Sequence, residues 1–159
     1  MNREVEIKAP DRRLGEIGLE NFPPYLMNRI MGRYNAALRD EMAKLGLTTP
    51  QMRSLAVLSV IDGILIRELA VYAVVQQSTL SRALDALVQG GLVRRETDST
   101  DSRAARLYLT DTGRAAYERL WPHMAHAYEV MFRGIPDDER RAFTRTLQTM
   151  LRNVRRHDF

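Results

Sequence analysis

Along most of this chain apolar residues recur at spacings of three and four, the signature of helices with one buried face. Leu26, Ile30, Met31, Tyr34, Leu38, Met42 and Leu45 mark the first such helix. Phe22-Pro23-Pro24 opens it, since proline is tolerated in a first turn, and Gly46 ends it. Thr48-Thr49-Pro50-Gln51 starts a second helix that carries Met52, Leu55, Leu58 and Ile61 and breaks at Asp62-Gly63. Ile64-Leu65-Ile66 is too short for more than a small strand or an extended linker. A short helix follows over about 67–74, with Leu69, Ala70 and Ala73 apolar. Another begins at Ser78, buries Leu80, Leu84, Leu87 and Val88, and stops at Gly90-Gly91. The period then changes. Residues 92–97 and 105–109 read as strands joined by a polar turn. Thr110 caps a long helix reaching about Phe132, in which Pro122 should introduce a kink or remove a hydrogen bond. A last helix follows Gly134-Ile135-Pro136, with Asp137, Asp138 and Glu139 in its first turn and Arg152, Arg155 and Arg156 in its last, the order its dipole favours.

Two short helices joined by a tight turn and followed by a hairpin form a winged helix-turn-helix. The predicted fold is therefore mainly α with a small β-hairpin wing: a winged helix-turn-helix core flanked by long dimerisation helices. It divides into a polar arm at 1–21, which lacks periodicity, a helical dimerisation region at 22–47 and 111–159, and a DNA-binding domain at 48–110. The outer helices have little else in the chain to cover their apolar stripes, which predicts a homodimer.

Composition narrows the function. At 159 residues, 45% hydrophobic and 28% charged, the chain fits one folded domain. It has no cysteine, which excludes disulfides, Cys-ligated zinc, iron–sulfur clusters and thiol redox sensing. The longest apolar run, near Leu55–Ile61, is far short of the roughly 20 residues of a membrane span. With no signal-peptide core at the N-terminus, a cytoplasmic protein without membrane contact is expected. No nucleophile elbow, phosphate loop, zinc-protease motif or dinucleotide turn is present, so neither an enzyme nor a cofactor is expected. His123 and His126 have a spacing that can place two ligands on one metal, but no matching ligand set accompanies them, and no metal is expected. The formal charge is +4, and of the basic residues only Lys8 and Lys44 are lysine.

The helix beginning Gln77-Ser78-Thr79-Leu80-Ser81-Arg82 turns its leucines inward and leaves Gln77, Ser78, Ser81, Arg82 and Asp85 outward. Short hydroxyls and an amide allow close approach to a major groove, and Arg82 can reach guanine or phosphate. Arg94, Arg95 and Arg106 read as backbone-phosphate contacts or partners of Glu96. Residues 76–106 hold five arginines against Asp85, Glu96, Asp98 and Asp101, so affinity must come from a few placed contacts rather than a broad basic field.

These segments together resemble the MarR family of winged-helix transcription regulators. The likeness is carried by Glu68-Leu69-Ala70, by 77–87, by Gly91-Leu92-Val93-Arg94-Arg95, and by the wing Asp98-Ser99-Thr100-Asp101-Ser102-Arg103. Its most specific piece is that wing together with the Leu-Thr-x-x-Gly exit in Leu107-Tyr108-Leu109-Thr110-Asp111-Thr112-Gly113-Arg114. Two departures stand out. Val74 occupies a turn position that often holds glycine, which predicts a wider or more helical turn, and Ser102 replaces a common wing arginine. The resemblance implies that Arg103 enters a minor groove while Asp101 orients it. Together with the helix face and the flanking arginines, this gives Gln77, Ser78, Thr79, Ser81, Arg82, Arg94, Arg95, Asp101 and Arg103 as the expected DNA contacts. The resemblance also implies a small aromatic or anionic effector between the dimer helices and the winged domain. Tyr25, Tyr34, Tyr117, Trp121 and Met124 are the candidate lining, with Arg29 or Arg33 for an anionic group. The expected function is a homodimeric, ligand-responsive repressor on a pseudo-palindromic operator in double-stranded DNA. The competing reading is a winged helix used for protein contacts, or for non-specific DNA binding without an effector.

Overall fold

The computed structural model describes residues 11–157, and the first ten residues of the predicted arm lie outside them. Within the rest of the arm, the helical turn α1 (Leu14–Ile17) and a 3-10 turn (Leu19–Asn21) replace the aperiodic segment expected there. Gly18, at φ 81°, separates them, and neither buries a residue. Then come α2 (Pro23–Lys44), α3 (Thr49–Leu58), β1 (Ile64–Leu65), α4 (Ile66–Tyr72), α5 (Gln77–Gln89), β2 (Val93–Thr97), β3 (Ala105–Leu109), α6 (Asp111–Met131) and α7 (Asp137–Val154). The expected fold class is the observed one: mainly helical, with a small antiparallel sheet forming the wing.

The sheet has three strands in the order β1-β3-β2, so the segment left open as strand or linker is a strand. Ile64 pairs with Leu107 and Leu65 with Arg106, while β2 and β3 pair from Val93↔Leu109 to Thr97↔Ala105. Two bonds clip the turn before β1 onto β3. Gly63 N–H donates to the Leu107 carbonyl at 2.9 Å, and Leu109 N–H donates to Asp62 Oδ1 at 2.8 Å.

The core lies where α2, α3, α4, α5, β3 and α6 meet. Leu38, Leu55, Leu58, Leu69, Leu80, Leu84, Leu87, Leu107 and Leu120 are all fully buried there. Each such side chain contributes about 1.5–3 kcal/mol by leaving water. Thr48 starts α3 as predicted: its N–H donates to Gln51 Oε1 at 2.8 Å, one arm of a capping box.

Three helices end with the same long backbone bond. Leu47 N–H reaches back to Met42 O, Val75 N–H to Ala70 O, and Leu92 N–H to Leu87 O. This motif needs a left-handed residue just past the helix. Gly46 and Gly91 supply it for α2 and α5, but at the end of α4 the residue is Val74, at φ 53°. The expected widening of that turn is therefore not observed. The chain keeps the tight closure and places a β-branched residue in a conformation that such residues rarely adopt.

The Leu-Thr-x-x-Gly exit has a steric reason. Thr110 Oγ1 accepts from Gly113 N–H at 3.0 Å, capping α6, and donates to the Gly91 carbonyl at 2.6 Å. Gly113 packs so closely on the end of α5 that a Cβ there would lie 2.0 Å from the Leu92 carbonyl oxygen. Farther along, α6 continues unbroken through Pro122, which has no N–H to offer the Glu118 carbonyl.

The outer helices are different. Helix α7 buries no residue, and Leu151 and Val154 are 64% and 74% exposed. It is held to α6 by Phe132 against Phe143, with centroids 6.2 Å apart, and by Arg140 over the rings of Tyr128 and Phe132.

Candidate nucleic-acid interface

Helix α5 buries Leu80, Ala83, Leu84 and Leu87 and turns Gln77, Ser78, Thr79, Ser81, Arg82 and Asp85 to solvent. The amide and hydroxyls of its first turns thus stand together on one free face. Arg53, which the sequence reading passed over, supports the turn before this helix by donating from Nη1 to the Val74 carbonyl at 3.3 Å.

The arginines beside that face fall into two groups. Arg94 pairs with Glu96 and stacks 4.3 Å from the centroid of Tyr108, its cross-strand partner. Arg95 donates to Asp85 Oδ1 at 2.8 Å, joining strand β2 to α5 rather than to Glu96. Arg106 turns away from Glu96, its register partner, to Asp98. Among the described residues, the guanidiniums of Arg82 and Arg103 have no acidic partner, and both side chains are exposed. Asp101 does not touch the Arg103 guanidinium. It accepts the Arg103 backbone N–H at 2.9 Å and so orients the chain instead of the side-chain head.

Asp98 is the feature that sequence reasoning missed. It is only 6% exposed. Its Oδ1 accepts from the Thr100 hydroxyl at 2.6 Å and from the Thr100 and Asp101 N–H groups at 2.9 Å each. Its Oδ2 accepts from Arg106 Nε at 2.5 Å. The Thr100 hydroxyl first, then the Thr100 N–H, Arg106 and the Asp101 N–H, hold this carboxyl far below the ordinary carboxylate range. An Asp two residues before a Thr in a hairpin turn is the local signal for such a site.

A second candidate region is an open groove of about 770 Å³ between α2 and α6. Of the candidate effector residues, Tyr25, Arg29, Arg33 and Tyr34 line it, joined by His123 and His126, which sequence reasoning weighed only as metal ligands. Arg29 Nη1 donates to Tyr25 Oη at 2.8 Å. Burial, reinforced by Tyr117, raises the Tyr34 phenol above its ordinary range. Tyr117, Trp121 and Met124 do not line the groove. Tyr117 and Met124 pack on the core, and Trp121 is 53% exposed beyond Tyr117. His123 Nε2 lies 3.4 Å from Glu41 Oε2, bridging α6 to α2. Among the described residues no three metal-ligating side chains are gathered into a site, and no helix is long and apolar enough to cross a membrane.

Comparison with known proteins agrees with this fold. A model of the MarR family matches residues 45–104. The crystal structure of a MarR-family transcriptional regulator from Silicibacter pomeroyi is 59% identical, covers 93% of this chain and all of its own, and superposes with a TM-score of 0.89. The HTH-type transcriptional repressor IacR of Pseudomonas putida is 24% identical over 87% of this chain and 83% of its own length. CouR from Rhodococcus jostii, whose crystal structure holds p-coumaroyl-CoA, is 23% identical, covers 84% of this chain and 94% of its own, and shares the fold with a TM-score of 0.73.

Proposed function

The chain belongs to the MarR family of transcriptional regulators, a family of DNA-binding proteins and not of enzymes, and from that premise we propose that it acts as a homodimeric, effector-released repressor. Two copies of α5 lie in successive major grooves of a pseudo-palindromic operator, about one helical turn apart. Gln77, Ser78, Thr79, Ser81 and Arg82 meet bases and phosphates. Arg103 reaches the adjoining minor groove, where a narrow groove concentrates negative potential. Arg94 and Arg95, already partnered, contribute phosphate contacts at the rim.

The observation that carries this reading is the free polar face of α5 beside Arg82 and Arg103, whose guanidiniums have no acidic partner among the described residues. Dimerisation is supported by the apolar residues that α7 leaves in solvent, which a second copy would cover. Repression is supported by IacR, a repressor by name. The groove supports effector sensing: two tyrosines give aromatic contact, and Arg29, Arg33 and two histidines favour an acid group. The p-coumaroyl-CoA held by CouR is an aromatic ligand of that kind.

Fluorescence anisotropy with the protein's own promoter region and a random duplex tests the proposal. Wild type should prefer the promoter at moderate ionic strength, and aromatic acids or their thioesters should release it. Arg103→Ala should weaken promoter binding by roughly tenfold while leaving the melting temperature unchanged. Equal binding to both duplexes, with and without effectors, would end the reading.

A further inference from the structure

The hairpin tip contains the one buried acid among the described residues, and its bonds lead away from the strand ladder. Five register pairs already hold β2 to β3. Asp98 Oδ1 spends its capacity on the turn itself, on Thr100 and Asp101. Asp101 in turn accepts the Arg103 N–H, so two consecutive carboxylates fix the backbone leading to Arg103. On its other side Asp98 holds Arg106, whose Nη1 donates to the Gly63 carbonyl at 2.7 Å. Gly63 belongs to the turn between α3 and β1, which is itself bonded to β3 through Leu107. A continuous polar chain therefore runs from the body of the domain, through Arg106 and Asp98, to the backbone of the wing tip.

We propose that Asp98 and Arg106 are positioning residues for DNA reading: they clasp the wing tip to the α3–β1 turn and hold Arg103 in place over the duplex. The proposal rests on the reading of Arg103 as a DNA contact. Its physical basis is preorganisation. With a nearly balanced charge over residues 76–106, affinity depends on a few contacts. A contact made by a loose hairpin loses its gain to the entropy of ordering that hairpin. Arg106 serves the clasp through its Nε and Nη1, which bond Asp98 and the Gly63 carbonyl.

The test uses the full chain and the promoter duplex. Asp98→Asn keeps the size of the side chain and removes its charge. In DNA-free protein it should speed hydrogen exchange at the Thr100, Asp101 and Arg103 amides while leaving α5 amides unchanged. On DNA it should weaken promoter binding by roughly tenfold, and adding Arg103→Ala to it should cost less than about twofold more. Arg106→Gln cuts the clasp at its other end and should repeat both results with a milder exchange effect, which keeps the test open should Asp98→Asn fold poorly. Unchanged exchange at the wing amides in both variants would overturn the clasp. So would full additivity with Arg103→Ala, or a salt slope that Arg106→Gln lowers by about one, the mark of a direct phosphate contact. If wild type shows no promoter preference, the DNA reading fails, and the exchange measurement still decides whether the clasp exists.

Discussion

The winged module and the outer helices are built from similar sequence patterns but reach opposite ends. Helix α5 puts four residues into a core that is closed within one chain. Helix α7 has as regular a stripe, with Phe143, Leu147, Met150, Leu151 and Val154, and buries none of it. Periodicity states that a face wants covering and is silent about what covers it. In the module, the cover comes from elements tens of residues away in the same chain. For α7 the described elements supply it only in part: Phe143 meets Phe132, while Leu151 and Val154 stay in solvent.

This contrast can be broken by substitution. Leu84→Ala, in the module core, should cost about 2–5 kcal/mol in urea denaturation, whereas Leu151→Ala should change the midpoint little once the protein is dilute enough to be monomeric. Equal costs at that dilution would mean that α7 is buried within its own chain. In sedimentation, Phe143→Asp with Leu151→Asp should give monomers that retain their helical circular dichroism.

Glycine sharpens the same comparison. Gly113→Ala drives a methyl into the Leu92 carbonyl and should destabilise by about 1–3 kcal/mol or more. Gly32→Ala, inside α2 with open space around it, should stabilise the monomer by about 0.5–1 kcal/mol. The Val74 turn offers a gain inside the module. Val74→Gly relieves a left-handed β-branched residue that is 77% exposed, and should raise stability by about 1 kcal/mol in thermal melts. A loss of stability there would show that the valine makes a contact worth more than its strain.

The smallest effect is a pH dependence confined to the wing. The Asp98 carboxyl has a lowered folded pKa, so its contribution is complete above the ordinary value of 3.8 and fades as pH falls below it. The difference in urea midpoint between wild type and Asp98→Asn should be flat from about pH 5 to 8 and shrink below about pH 4. A difference that grew on acidification would contradict the hydrogen bonding described at the hairpin tip.

Most of the fold was legible because its signals are local. Thr48, Thr110 and the paired glycines at 90 and 91 set helix ends through contacts within a few residues. The outward face of α5 followed from the placement of its leucines. What the sequence did not disclose was mostly long-range partners: the strand expected at Ile64 pairs with Leu107, Arg53 reaches the Val74 carbonyl, and Arg106 finds Gly63, and Asp98 rather than the Glu96 that faces it. The groove was half legible. Tyr25, Arg29, Arg33 and Tyr34 share one helix face, but helical spacing did not reveal that His123 and His126 line the groove with them while Tyr117 and Trp121 do not.

The junction at Gly113 has one more implication. Helix α6 borders the groove through His123 and His126 at one end, and at the other meets Leu92 without room for a methyl group. The start of α6 therefore rests on the short link where α5 ends and β2 begins, with Thr110 bonded to the Gly91 carbonyl and Gly113 set against that of Leu92.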